Sequence, residues 1–184
     1  MKPGDVPFQP WAAQIHQHRL DTLGREDPQA RCVLSGVPRE NAIVYPFKIV
    51  NATNKTIIFL YEVLHSYRQV FMDGRSLPDE PNPAWMGYSI GRWDGDTLVV
   101  ESKGFEERAW LDNNGHPATE ALHLTERFLR RDFGHIDLQM TIDDSKAYTR
   151  PWTVTVPLVA QPDIELIEYA CDENEKDVAH LVGK

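Results

Sequence analysis

Positive charge, cysteine and long apolar runs are all scarce in this sequence. Of 184 residues, 19 are Lys or Arg against 28 Asp or Glu, a formal net charge of −9 with histidine neutral. Nucleic-acid backbones and anionic membrane surfaces both demand a dense cationic face. The one basic cluster, Arg127, Arg130 and Arg131, runs straight into Asp132, so neither partner is expected. No apolar stretch approaches the ~20 residues of a helical membrane span. Met1-Lys2-Pro3-Gly4-Asp5 has no apolar core and does not read as a signal peptide. A P-loop and a GxGxxG fingerprint are missing, and neither Ser35-Gly36 nor Ser89-Ile90-Gly91 has a partner that would make it a nucleophile. Internal repeats and low-complexity tracts are missing too. Cys32 and Cys171 lie 139 positions apart and neither belongs to a CxxC pair, so structural zinc is not expected. They either stay as small core thiols or pair. A bond closing so long a loop contributes about 4–5 kcal/mol by chain entropy and indicates an oxidising compartment.

What is present suits one globular domain. Hydrophobic residues make up 41% and charged residues 26%, and a chain this long buries roughly 70% of its unfolded surface. Residues 1–40 read as an arm and helix that wrap the rest: three prolines in the first ten positions, a helix over Trp11–Leu20 with Trp11, Ile15 and Leu20 on one face, then a Pro- and Gly-punctuated connection. His16 and His18 fall on the exposed sides of that helix. Over residues 41–184 the period changes to two. Strands are expected at Phe47–Val50, Thr56–Glu62, Tyr67–Met72, Gly87–Trp93, Thr97–Ser102, Leu122–Arg131, His135–Ile142, Trp152–Leu158 and Glu165–Ala170. Asp94-Gly95 and Asp132-Phe133-Gly134 supply tight turns. Nine short strands without intervening helices predict a mainly β fold, an antiparallel up-and-down barrel or half-open barrel with the N-terminal helix as plug or lid. A two-sheet sandwich is the second choice.

Strand alternation places five charged side chains on apolar faces. Glu62 goes with Ile58 and Leu60, Arg68 with Val70 and Met72, and Arg92 with Tyr88 and Ile90. Glu126 goes with Leu122, Leu124 and Phe128, and Glu168 with Ile164 and Leu166. Buried charges must be paired or line a wet cavity. Glu62, Arg68, Tyr88, Arg92, Trp110 and Glu168 are therefore the expected ligand contacts, since a few polar groups in an apolar cavity fix a small molecule's orientation.

The densest chemistry runs from Trp110 to Glu126. His116, Glu120 and His123 offer nitrogen and oxygen ligands for a divalent metal, at a spacing that matches no helical HExxH pattern; no other cofactor is expected. Glu126 with His116 or His123 is the alternative, an acid–base pair in an apolar setting.

Tyr45–Val50, Trp85–Glu101, Trp110–Pro117, Glu126-Arg127-Phe128 and Thr141–Trp152 resemble one group of uncharacterised exported bacterial proteins, typical of soil bacteria such as Acidobacteria. The resemblance spans about residues 8–184. Members usually carry a signal peptide, so it implies export to the periplasm or beyond, and with it a Cys32–Cys171 disulfide. It implies no activity. A looser similarity, carried by Gly91-Arg92-Trp93-Asp94-Gly95-Asp96-Thr97-Leu98, is to lipocalin-like barrels, an analogy of fold that does not fix function.

The leading expectation is a periplasmic or secreted barrel that binds a small organic ligand. Its rivals are an acid–base or metal-assisted lyase, isomerase or hydrolase, and a structural or partner-binding module.

Overall fold

The computed structural model describes residues 6–171 and 173. One helix, α1 (Pro10–Asp21), precedes eight strands: β1 (Phe47–Thr53), β2 (Thr56–Tyr61), β3 (Tyr67–Phe71), β4 (Tyr88–Asp94), β5 (Thr97–Lys103), β6 (His123–Arg130), β7 (His135–Asp143) and β8 (Trp152–Val159). They form one curled sheet in chain order, with β1 and β8 as its two edges. The sheet is an open half-barrel, the second of the two forms expected from the sequence and not a closed barrel, and it has eight strands, not nine.

Three local causes explain the difference. Glu165–Ala170 forms no strand; it runs beside β1 and β2, where the Ile167 N–H donates to Glu62 Oε2 at 3.0 Å and the Tyr169 N–H to His65 Nε2 at 2.8 Å. The sheet is also not wholly up-and-down. β3 and β4 pair in parallel through Val70↔Ser89 and Phe71↔Ile90, while every other pair is antiparallel. A parallel neighbour needs a long crossover, and the Pro-rich 72–87 connection supplies it. Finally, β1 carries an irregularity between Asn51 and Thr53, and β8 carries Pro157. Both features blunt an edge.

The hairpins follow their turn residues. Asp94 pairs with Thr97, so the two-residue loop is Gly95-Asp96, with Gly95 at φ +59°. Positive φ at the first loop position alone is the type II′ requirement. The 53–56, 94–97 and 130–135 turns lie at one end of the half-barrel. The other end is closed by the 104–122 and 143–152 loops together with the arm. Gln9 N–H donates to Ala147 O (2.8 Å), Thr149 N–H to Pro7 O (2.7 Å) and the Trp11 indole to Lys146 O (2.9 Å). Asp144, almost fully buried, ties these loops together by accepting from the Thr119 N–H and hydroxyl and from the Lys146 and Ala147 N–H groups.

α1 starts with Pro10 in its first turn and ends with His18 and Arg19 in its last, both favourable placements. Its packing corrects the sequence reading. Trp11, Ile15 and Leu20 are each about 40% exposed, Ala12 is buried, and His16 is half-buried while His18 is exposed. The helix rests on loops rather than on a sheet face: Arg19 stacks on Trp110 at 4.5 Å and donates to Gly115 O at 3.0 Å.

Inward rows are set strand by strand. β6 turns Leu124, Glu126 and Phe128 inward, in line with Leu122 just before it, as expected, and β3 turns Arg68 and Val70 inward. β2 turns Ile57, Phe59 and Tyr61 inward, the reverse of the expected face, because both of its faces are apolar and alternation alone cannot choose. Cys32 and Cys171 form a disulfide with Cα atoms 5.7 Å apart, joining the N-terminal connection to the C-terminal segment.

Candidate functional site

The failure to close leaves two adjoining hollows. A cleft of about 700 Å³ separates β1 from β7 and β8, walled by Phe47, Ile136, Leu158 and the C-terminal Leu166, with Asn41 in its lining. A second hollow of about 580 Å³ opens at the hairpin end, where Ile57, Met72, Leu98 and Phe128 form the walls and Trp93 the rim. Ile49, Arg130 and Ile136 line both. Ligand sites of this size, mainly apolar with few polar groups, are the usual small-molecule pockets.

Asn41 connects the cleft to a buried polar cluster. Its amide donates to Glu126 Oε1 and its carbonyl accepts from the Tyr61 hydroxyl at 2.8 Å. Glu126 Oε2 accepts from Arg68 Nη2. Arg68 also donates to the Ser89 hydroxyl (2.9 Å, from Nε) and the Ser102 hydroxyl (2.6 Å, from Nη2), and the two serine oxygens are 2.9 Å apart. Arg68 and Glu126 are at most 1% exposed. Burial alone would lower the Arg68 pKa, but the Glu126 carboxylate outweighs it and the net direction is up. Burial raises the Tyr61 phenol well above its ordinary value.

Glu40 lies beside this cluster, 1% exposed. Burial pushes its carboxyl up to about 7, with Ser35 and Arg39 pulling the other way. Ser35 faces it closely enough for that effect, yet neither carboxyl oxygen makes a hydrogen bond of normal geometry. Arg39 is turned elsewhere, bonded to both Asp27 oxygens (2.8 and 2.7 Å) and to Asn113 Oδ1 (2.8 Å).

A separate histidine group sits under α1. His116 Nδ1 is 2.8 Å from Asp112 Oδ2, and its ring lies 4.4 Å from that of His16, with Phe8 stacked against both rings and Trp152 beside His116. Burial and the neighbouring His116 lower the His16 pKa. Burial works to raise Asp112, but its bond to His116 takes it below the ordinary carboxylate value.

The expected site residues scatter. Glu126 and Arg68 meet. Glu62 is buried at a turn after β2 and receives the Ile167 N–H. Arg92 falls on the outward row of β4 and pairs with Glu101, yet it lines the hairpin-end hollow beside Trp93; Glu168 is exposed on the strandless C-terminal segment. Tyr88 is half-buried, its hydroxyl accepting from Arg75 at 3.0 Å, and Trp110 is buried under Arg19. Neither histidine is a partner of Glu126: His123 lies on the opposite face of β6, 3.5 Å from Glu101, and His116 belongs to the group under α1. Glu120 pairs with Lys146. Among the described residues no three His, Cys, Asp or Glu side chains are grouped to hold a metal ion, so His116, Glu120 and His123 do not form a ligand set.

Asn41, Tyr61 and Glu40 are not among the residues the sequence points to, and Arg130 stands out there only as part of the basic cluster. Its place as the next member of the Leu122-Leu124-Glu126-Phe128 row is the signal that could have found it. Asn41 and Glu40 lie in a turn, where no period operates. Gly87-Tyr88-Ser89-Ile90-Gly91 does have the G-x-S-x-G spacing, but Ser89 is inside β4, fully buried and bonded to Arg68. A nucleophile elbow requires a strand-to-helix turn instead. No family model, no curated protein and no solved structure matches the chain.

Proposed function

We propose that the protein is an exported binding protein, periplasmic or secreted, that takes a small organic ligand into the open side of the half-barrel. The observation that carries this reading is the pair of adjoining, mainly apolar hollows, one between β1 and β8 and one at the hairpin end, which share Ile49, Arg130 and Ile136. The disulfide supports export, since such bonds persist in oxidising compartments. Binding is favoured over catalysis because the best acid–base candidate, Glu126, is held by Arg68 and Asn41 and has no histidine beside it. The resemblance to exported bacterial proteins agrees with this placement.

Titration with the neutral apolar dye N-phenyl-1-naphthylamine tests the reading. Saturable one-to-one binding is expected, abolished by Ile136→Glu in the shared wall. The variant's far-UV spectrum and melting temperature serve as the folding control. Binding that survives Ile136→Glu in a folded protein, or no binding by the native protein, overturns the cleft as the site.

A further inference from the structure

We infer that the ligand is an amphipathic monoanion, an apolar body carrying one carboxylate, with the carboxylate received by Arg130. The inference rests on the cleft being the binding site.

Arg130 is the last residue of β6 and continues its inward row, one step beyond Phe128. It is also the one charged side chain that lines both hollows. Its guanidinium is held in place from behind: Nε donates to Asp132 O at 3.0 Å, Nη2 to Phe133 O at 3.3 Å, and the group lies 5.6 Å from the Phe133 ring. These are carbonyl and ring contacts, and none neutralises a cation. Other basic groups near the hollows are already neutralised by carboxylates: Arg92 by Glu101, Lys48 by Glu165, Arg127 by Asp94 and Arg131 by Asp137. Arg130 has no carboxylate partner among the described residues, and its Nη1 donors are uncommitted. A planar guanidinium with free donors is suited to a carboxylate. Ile49, Ile57, Phe128 and Ile136 flank it with apolar surface, so the part of the ligand next to the head group is apolar.

A neighbouring carboxylate bears on the charge of the head group. Asp96, exposed in the β4–β5 turn, lies on the rim of the hairpin-end hollow and has no side-chain bond among the described residues. The register places it next to Arg130, since Thr97 faces Leu129. His135, on the rim of the cleft, is occupied by Asp132. Asp96 sets a negative charge beside Arg130, which disfavours a dianion such as a phosphate monoester relative to a monoanion.

The test uses three probes of one length on the intact, oxidised protein: fluorescent cis-parinaric acid, its methyl ester, and the corresponding alkyl phosphate as a competitor. The acid is expected to bind about tenfold more tightly than the ester, in line with a charge-assisted hydrogen bond partly screened at a pocket mouth. Arg130→Gln should remove that preference and leave ester binding unchanged. Arg130→Lys should restore part of it, and Asp96→Asn should strengthen acid binding and let the phosphate compete. Equal binding of acid and ester, or a preference that survives Arg130→Gln, overturns the inference while leaving the cleft reading intact. Stronger competition by the phosphate in the native protein also overturns it. Failure of both acid and ester to bind overturns the cleft reading along with it.

Discussion

The Arg68 guanidinium and the Glu126 carboxylate, carried by β3 and β6, meet across the hollow of the half-barrel with both side chains sealed from solvent. Two strands, β4 and β5, lie between theirs in the sheet, so the pair bridges the curl and fixes it.

Removing one member of that pair leaves the other charged and buried. Arg68→Met or Glu126→Leu alone should cost about 3–5 kcal/mol, while the double replacement should recover most of the loss. Urea unfolding of the four proteins closes the cycle. Purely additive losses would show that the two residues contribute separately.

Glu40 gives stability a pH dependence of defined sign. Its folded pKa is raised to about 7 from 4.5, so the unfolded chain releases this proton first. The group is harmless below pH 4.5, destabilises progressively from there to pH 7, and levels off above. The full difference is about 3 kcal/mol. Glu40→Gln should flatten that part of the stability profile between pH 4.5 and 8. An unchanged slope would place the proton elsewhere.

The arm and α1 should loosen in acid. His16 has a folded pKa below its ordinary 6.5, and Asp112 one below its ordinary 3.8. Protonation of either favours the undocked state. His16 stability is therefore lost as pH falls below 6.5, and that of Asp112 as it falls below 3.8. Amide exchange in α1 should speed up between pH 7.5 and 5.5 relative to β6, and His16→Phe, which keeps the stack on Phe8 and His116, should suppress the change.

Opening the Cys32–Cys171 bond releases a loop of 139 residues. Reduction, or the double Cys→Ser variant, should lower unfolding free energy by about 4–5 kcal/mol on the chain-entropy estimate. Denaturation with and without reductant measures it, and a midpoint unmoved by reductant would contradict the estimate.

Much of the fold was legible residue by residue. The α1 bounds, and those of seven of the eight strands to within two residues at either end, follow from period and turn chemistry; β6 starts at His123 and ends at Arg130. The inward Glu126 was readable because every companion in its row, Leu122, Leu124 and Phe128, is apolar while His123, Thr125 and Arg127 are not. Arg92 takes the other face of β4 from the one alternation suggests, because Gly91, the inward neighbour, has no side chain to mark the face, though Arg92 still lines the hairpin-end hollow. A Cβ on Gly91 would come within 2.5 Å of Met72 Sδ. Glu168 is exposed because residues 165–170 form no strand and are tied to the residues after β2 by the Ile167 and Tyr169 N–H groups, and period two does not require a hydrogen-bonded neighbour in a sheet.

The sequence by itself determined the β class, the helix, the hairpin sites and the presence of charge on the inward rows of β3 and β6, because these depend on neighbours one to four positions away. Tertiary structure decided the parallel step from β3 to β4, the inward face of β2, the pairing of Arg68 with Glu126 and the open seam between β1 and β8. Each of these depends on the path of a long connection or on register across several strands. Alternation constrains side chains only relative to others in the same strand.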